Sequence, residues 1–301
     1  EALEDGFAGA TIGMEMAGTV LAVGAGVTDI APGERVMGIG PEAFSTHMVV
    51  AREGLMRLPS GMDLAAAATV PVAFLTAYYA MVELGRIRAG ETILIHGAAG
   101  GVGLAALQIA KLKGATVIAT AGTVEKRRFL SMLGADHVFD SRSLDFVGDV
   151  LRVTGGEGVE LVLNSLFAEA MERSFELVKP FGRFLELGKR DYYSDRKLAL
   201  RPFRRNVSYF GIDADQLLVK APALTHRIFD EIGALFAEGK LSPLPFRAFH
   251  YDETAGAFRL MQNAGHIGKI VVLPPMAGKD PVRVATDGKL ALPTGVYLVA
   301  G

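Results

Sequence analysis

Up to about Phe74, apolar and polar positions alternate in short runs. Met16-Ala17-Gly18-Thr19-Val20-Leu21-Ala22-Val23-Gly24 and Arg35-Val36-Met37-Gly38 read as strands broken by turns. Between them, Ile30-Ala31-Pro32-Gly33-Glu34 carries Pro and Gly where a turn needs them. This zone predicts a small all-β region. From about 74 to 212 the pattern changes. Apolar runs at 92–96, 116–120, 137–140, 160–163, 183–187 and 207–212 read as strands, and 102–113 and 125–133 as helices, the second ended by Gly134. Strands alternating with helices at this spacing argue for parallel βαβ units. A third zone predicts two amphipathic helices, 223–238 and 254–262, and a closing β-rich run at 269–273. The last stretch, 293–301, reads as a further strand running into Gly301.

The 301 residues, half of them hydrophobic and 21% charged, are enough for two domains with ample core. A formal net charge of -2 gives no basic excess for nucleic acid and no charge run for a membrane surface. No uninterrupted apolar stretch is expected to span a bilayer. The absence of cysteine excludes disulfides, thiolate zinc sites and a Cys nucleophile, and suits a reducing, cytoplasmic setting. The histidines, at 47, 96, 137, 226, 250 and 266, show no metal-ligand spacing, so no metal is assigned. His96, inside an apolar strand, reads as a core histidine. The chain opens at Glu1 without Met and is expected to be an internal piece of something longer.

The strongest local signal follows the strand at 92–96. There Gly97-Ala98-Ala99-Gly100-Gly101-Val102-Gly103 opens a helix, in the frame G-x-x-G-G-x-G. Glycines let the backbone turn tightly and approach a pyrophosphate, and the helix start offers free N–H groups and a positive dipole end. A glycine cluster alone also serves as a plain turn, but strand, loop, helix and second strand follow here in the order a dinucleotide site needs. The second strand ends Thr120-Ala121-Gly122-Thr123, without the acidic residue that would hold the 2′-hydroxyl of NAD. Lys126, Arg127 and Arg128 come just after, and Arg142 follows the third strand. A small neutral strand end with cations nearby suits a 2′-phosphate, so NADPH is the expected cofactor. The alternative for Lys126 and Arg128 is a solvated helix face.

Taken together, 94–103 (LIHGAAGGVG), Asn164-Ser165-Leu166, 182–189 (GRFLELGK), 266–269 (HIGK) and 69–79 (TVPVAFLTAYY) resemble the enoyl reductase domain of polyketide synthases and animal-type fatty acid synthases. This is a zinc-free branch of the medium-chain dehydrogenase/reductase superfamily. The resemblance runs from about Gly13 to Leu273. Gly188-Lys189-Arg190-Asp191 and 201–206 (RPFRRN) are especially similar to iterative synthases of the mycocerosic-acid type. It implies an α/β fold: a Rossmann doubly wound parallel sheet, 74–212, inserted into a GroES-like β-rich substrate domain, 1–73 plus 213–275. It implies a trans-2-enoyl substrate carried as a thioester on an acyl carrier protein, neighbouring synthase domains, and allows a homodimer. Two departures stand out. The family's earlier strands, with an Asn-Tyr/Phe-Arg-Asp segment, are missing, and 276–301 resembles a linker into a following domain, a ketoreductase by its pattern.

Reduction of an unsaturated thioester needs a hydride at the β-carbon, stabilisation of charge on the thioester oxygen, and a proton at the α-carbon. Lys189 follows the strand at 183–187, at the edge where ligands bind in open α/β sheets. By resemblance, Lys189 and Asp215 are candidate proton donors, with Asp213 as a confusable neighbour. The plain alternative is a Lys–Asp salt bridge. Also by resemblance, Thr76 contacts the nicotinamide ribose, Asn164, Ser165, Leu166, Leu187 and Gly188 line the cofactor, and Lys269 touches its phosphate. Their alternatives are a helix N-terminal residue, turn chemistry and an exposed lysine. Rival functions are a free-standing quinone or enone reductase, and an NADPH-binding domain kept for structure alone.

Overall fold

The computed structural model describes residues 12–275 and 296–299. The chain divides into two compact units, Thr76–Asp213 and the remainder, Glu1–Leu75 with Ala214–Gly301. The expected breaks at 73/74 and 212/213 lie within two residues of these.

In the remainder unit, β1 (Glu15–Ala22), β2 (Arg35–Ile39), β3 (His47–Val50) and β4 (Leu55–Arg57) form an antiparallel sheet. Alternation gives it one inward face, on which Met16, Val20, Val36, Met48, Val50 and Leu55 pack with Ile30. β3 and β4 were not expected; they are three or four residues long, too short to carry a clear period. Asp63 caps the helix that follows, α1 (Leu64–Ala67), accepting bonds from the Ala65 and Ala66 amides, and α2 (Pro71–Tyr78) leads into the second unit. The helical run Leu64–Leu84 is, contrary to expectation, long and apolar enough by length and composition to cross a membrane. However, 61% of its apolar window is buried inside the protein.

The unit Thr76–Asp213 carries β5 (Thr92–Ile95), α3 (Gly101–Leu112), β6 (Thr116–Ala121), α4 (Val124–Met132), β7 (His137–Asp140), α5 (Phe146–Val153), β8 (Val159–Asn164), α6 (Glu169–Glu176), β9 (Val178–Glu186), α7 (Arg190–Tyr193) and β10 (Ser208–Gly211). All six strands are parallel, in the order β10-β9-β8-β5-β6-β7. This is the doubly wound Rossmann order, with its topological switch point between β5 and β8. The strands appear where apolar runs predict them. α5, α6 and α7 were not expected; α5 is only eight residues long, yet Phe146, Val147 and Val150 form one buried stripe, with Gly148 on the opposite, open face. β9 starts five residues earlier than its apolar run, kinked by a positive φ at Phe181 and a register shift against β8.

The chain then returns to the first unit through α8 (Asp215–Lys220), α9 (Pro222–Ala237), β11 (Phe246–His250), α10 (Thr254–Gln262), β12 (Lys269–Leu273) and β13 (Val296–Val299). α9 buries Ile228, Phe229, Ile232 and Phe236, the last edge-on to Phe74 at 5.0 Å. β11 pairs in parallel with β12; it was missed because only Phe249 of its residues is buried. β13, in the stretch expected to open a following domain, lies between β3 and β1, antiparallel to both. The rest of the tail, 276–295 and 300–301, and the opening residues 1–11 lie outside the described residues.

One ion pair fastens β9 to the entry of the parallel sheet. Arg183 donates to both carboxylate oxygens of Glu91, the shortest bond being 2.7 Å, and to the Gly85 carbonyl at 2.8 Å. Both side chains are more than four-fifths covered. Removing one partner of such a pair leaves the other charge stranded. Glu91→Ala should therefore cost about 2–3 kcal/mol in urea unfolding, and Glu91→Gln visibly less.

Candidate active site

The loop after β5 is shaped by close backbone approaches. Gly97 has a φ of +59°, and a Cβ there would stand 2.9 Å from the Ser165 hydroxyl. A Cβ on Gly103 would meet the Ala98 Cα at 2.5 Å, so no larger residue lets α3 lie this close to the loop. The Ala98 amide donates to the Thr120 carbonyl at 3.1 Å, tying the loop to β6, and Ala98 and Ala99 are buried. Gly100 is the N-cap of α3 and offers no side-chain cap, and Gly101 and Val102 form the first turn. The start of a twelve-residue helix thus presents backbone N–H groups at the switch point of the sheet. This cradle fits a pyrophosphate.

Behind the loop, His96 is 3% exposed. Its Nδ1 faces the Thr120 hydroxyl and its Nε2 the Ser174 hydroxyl, each at 2.8 Å. Burial pushes its pKa down to about 3, so the ring is neutral. The Ser174 hydroxyl donates to the Ala170 carbonyl, which leaves its lone pair for an Nε2–H. The Thr120 hydroxyl is therefore taken up by His96, and Thr120 serves the loop through its carbonyl.

The end of β6 gathers cations, with differing roles. Arg127 donates to Asp140 at 2.8 Å and to the Ala121 carbonyl at 3.1 Å, which makes it a brace between β6 and β7 rather than an open phosphate ligand. Arg142 lies along Gly122, where a Cβ would meet its Nε at 2.9 Å. Partial burial, and then the neighbouring Arg142 charge, lower the Lys126 pKa. Two cations crowded at a neutral strand end fit a bound anion such as a phosphate monoester. Arg128 is exposed.

Across the switch point, the ends of β8 and β9 are laced together. Asn164 is fully buried; its Nδ2 donates to Glu186 at 2.7 Å and to the Leu166 carbonyl at 2.9 Å, and its Oδ1 accepts from the Leu166 amide. Leu187 donates its amide to the Asn164 carbonyl. Ser165 is exposed, while Leu166, Leu187 and Gly188 are half-buried. Glu186, 1% exposed, accepts from the Gly188 amide at 2.6 Å. Burial, reinforced by Asp191, raises its pKa to about 7 against the pull of those two hydrogen bonds. Glu186 was missed by sequence reasoning, although an acid inside the apolar run FLELG was the signal that could have found it.

Lys189 follows at once, and its ammonium lies 2.7 Å from Asp213, just beyond β10. The Lys–Asp pair that the sequence left open therefore forms with Asp213. Asp215 opens α8 of the other unit. Thr76 is 8% exposed within α2. Lys269 pairs with Glu15, which also accepts the Val72 amide, so it is committed to binding β12, β1 and α2 together. Among the described residues, no group of three or more His, Cys, Asp or Glu could hold a metal ion, and the chain has no cysteine. This donor set does not fit a thiolate zinc.

Residues 4–68 match the alcohol dehydrogenase GroES-like domain family, and residues 133–272 the family described as zinc-binding dehydrogenase. The chain is 42% identical over 294 residues to the phthioceranic/hydroxyphthioceranic acid synthase of Mycobacterium tuberculosis, covering 96% of this chain and 14% of that protein. It is 40% identical to the mycocerosic acid synthase-like polyketide synthase of the same organism, again over 96% of this chain and 14% of that one. Among solved structures it is similar to the CurK enoyl reductase, at 38% identity and a TM-score of 0.80, covering 88% of this chain and 79% of that one. It is also similar to the nucleotide-binding subdomain of the enoylreductase domain of PpsC from Mycobacterium tuberculosis, at 46% identity and a TM-score of 0.55, over 57% and 97% of the two chains.

The Gly103–Ala98 approach gives a direct check of the cradle. Gly103→Ala should lower stability by about 1–3 kcal/mol through overpacking. It should also weaken dinucleotide binding, read by quenching of nicotinamide fluorescence. Unchanged affinity would mean that the loop does not hold the pyrophosphate.

Proposed function

The chain belongs to the enoyl reductases of the medium-chain dehydrogenase/reductase superfamily found in polyketide synthases, and from that premise we propose that it uses NADPH to reduce a trans-2-enoyl thioester, carried on an acyl carrier protein, to the saturated acyl thioester. The observation that carries this reading is Lys189, held by Asp213 at the same C-terminal sheet edge as the glycine loop. A cation there meets the need of the reaction. The nicotinamide, when bound, supplies the hydride to the β-carbon. The electron pair of the double bond then moves toward the thioester carbonyl, whose oxygen gains negative charge. The Lys189 ammonium stabilises that oxygen or hands its proton to the α-carbon, and Asp213 fixes its direction. Asp215 is the second candidate donor.

Backbone amides of 101–103, at the start of α3, hold the pyrophosphate, with Gly100 as the N-cap beneath it, and Lys126 with Arg142 the 2′-phosphate. Asn164, Ser165, Leu166, Leu187 and Gly188 line the nicotinamide end, with Thr76 at its ribose. The curated relatives are polyketide synthases and related acid synthases of which this chain spans 14%. That supports neighbouring synthase domains and a carrier-bound substrate. A homodimer would be read by analytical ultracentrifugation.

Lys189→Ala should lower kcat on a crotonyl thioester by about 10²–10⁴ while leaving the NADPH dissociation constant nearly unchanged. Near-full turnover in both Lys189→Ala and Asp215→Ala would remove them as donors. A quinone acceptor run beside the thioester tests the reaction class; reduction of the quinone alone would overturn the reading.

Lys126→Ala should weaken NADPH by about one to two decades and leave NADH unchanged. Calorimetry showing NADH bound as tightly as NADPH by the unaltered chain would refute the cofactor assignment.

A further inference from the structure

The turn after β8 and the turn after β9 are the two segments that line the nicotinamide end in the reading above. Neither is held by regular secondary structure. The first contains Ala168 at a φ of +56° and a ψ of −134°, a conformation that a residue with a Cβ adopts only under constraint. The constraint comes from α7, which follows the second turn. Asp191 accepts the Ala168 amide at 2.9 Å, and the Arg190 guanidinium lies 4.0 Å from the Phe167 ring centre. Those two contacts sit at the outer rim, where Arg190 is exposed. The inner contact is Glu186. Its two carboxylate oxygens reach in opposite directions, one to the Gly188 amide beside Lys189 and one to the buried Asn164 amide, which in turn fixes both backbone groups of Leu166. A Cβ on Gly188 would stand 2.7 Å from that same carboxylate oxygen and 3.2 Å from the Leu166 carbonyl, so a larger residue would have to push the carboxylate aside.

We propose that Glu186 is a positioning residue for the reductase site: its carboxylate clamps the 164–168 turn to the 187–189 turn and so sets the backbone that carries Lys189 and meets the nicotinamide. The proposal rests on the reading that these turns face the cofactor. Two donors aimed at two oxygens ask for the ionised form, since a protonated carboxyl gives up a lone pair and needs an acceptor of its own. The groups facing Glu186 give no full counter-charge. Asp191 on α7 repels it, the Tyr192 phenol reaches only its backbone carbonyl at 3.5 Å, Tyr209 on β10 is a neutral phenol, and Lys189 is turned to Asp213. Burial therefore dominates, and the carboxyl titrates at about 7 instead of 4.5. Because the folded pKa is raised, the clamp is fully ionised only above about 7 and loosens as the pH falls through that value.

Amide NMR of the full 301-residue chain without nucleotide reads the clamp directly. The Gly188 amide proton should move downfield with a midpoint near 7 as the carboxylate forms, and Glu186→Gln should abolish this titration. A midpoint in the ordinary carboxylate range, or a titration that survives in Glu186→Gln, would overturn the proposal; the wild-type titration stands even if the variant folds poorly. In turnover, Glu186→Gln should lower kcat about ten- to a hundredfold, more than it changes the NADPH dissociation constant, and should remove the pH dependence near neutrality. Glu186→Asp should recover part of both. A Gln variant with the wild-type pH profile would also overturn it. If the chain reduces no enoyl thioester, the NMR titration still reports on the clamp, so failure of the functional reading and failure of the clamp are separable.

Discussion

Helix α3 reaches the sheet edge only because Gly103 lets it lie against Ala98. That approach brings the free amides at the helix start to the switch point between β5 and β8, and the sheet around it is arranged to keep it. Ala98 is bonded to Thr120, Thr120 to His96, and His96 to Ser174 on α6. A neutral buried imidazole thus links β5, β6 and a helix on the sheet's face through hydrogen bonds with no charge to desolvate. A lysine or carboxylate there would need a partner the core does not provide. Rigidity at the loop comes from this satisfied network as much as from the glycines.

The charges along the same edge are sorted by strand order. At the β6–β7 end lie Lys126 and Arg142, with Arg127 neutralised by Asp140. In the middle is the glycine loop. At the β9–β10 end lie Glu186, Asp191 and the Lys189–Asp213 pair. A dinucleotide laid along this edge has one orientation that places its most anionic end on cations and its neutral ring over the other side. The same layout argues against a 2′-hydroxyl partner at β6, since Asp140, at the end of the neighbouring β7, is spent on Arg127 and the Arg142 amide. On the NADPH reading proposed above, selectivity between nicotinamide cofactors would rest on which acids are already occupied as well as on which cations are present.

Much of this was legible in the chain. Six apolar runs became six strands, because strands of a parallel sheet covered on both faces are apolar nearly throughout, and the glycine loop declared itself by its context. The neutral end of β6 was equally plain. What escaped was of two kinds. Short or one-sided elements such as β3, β4 and β11 bury too few residues to impose a period, and α5, though its stripe is buried, is only eight residues long. Pairings between residues distant in sequence, such as Lys269 with Glu15 or Asn164 with Glu186, leave no local mark. Arg127 shows the limit well: its neighbours in sequence suggest a phosphate ligand, and only the fold turns it toward Asp140.

Glu186 stands where these two limits meet. An acid within the apolar run FLELG hints at burial, but its partner Asn164, 22 residues away, is visible only in the fold. Its raised pKa has a definite sign in stability. The folded chain holds this proton more tightly than the unfolded one, so the stabilising contribution is complete below about 4.5 and is lost as the pH rises to about 7. The ionised form that ties both turns together is therefore the less stable form of the fold. It persists because the sheet beneath is closed by apolar packing of Val162, Phe175 and Phe184 and does not depend on the clamp. A site that needs a fixed backbone at one edge can carry such a charge only on a core with stability to spare: Glu186 lies at the last residue of β9, and the strain at Ala168 in the loop before α6.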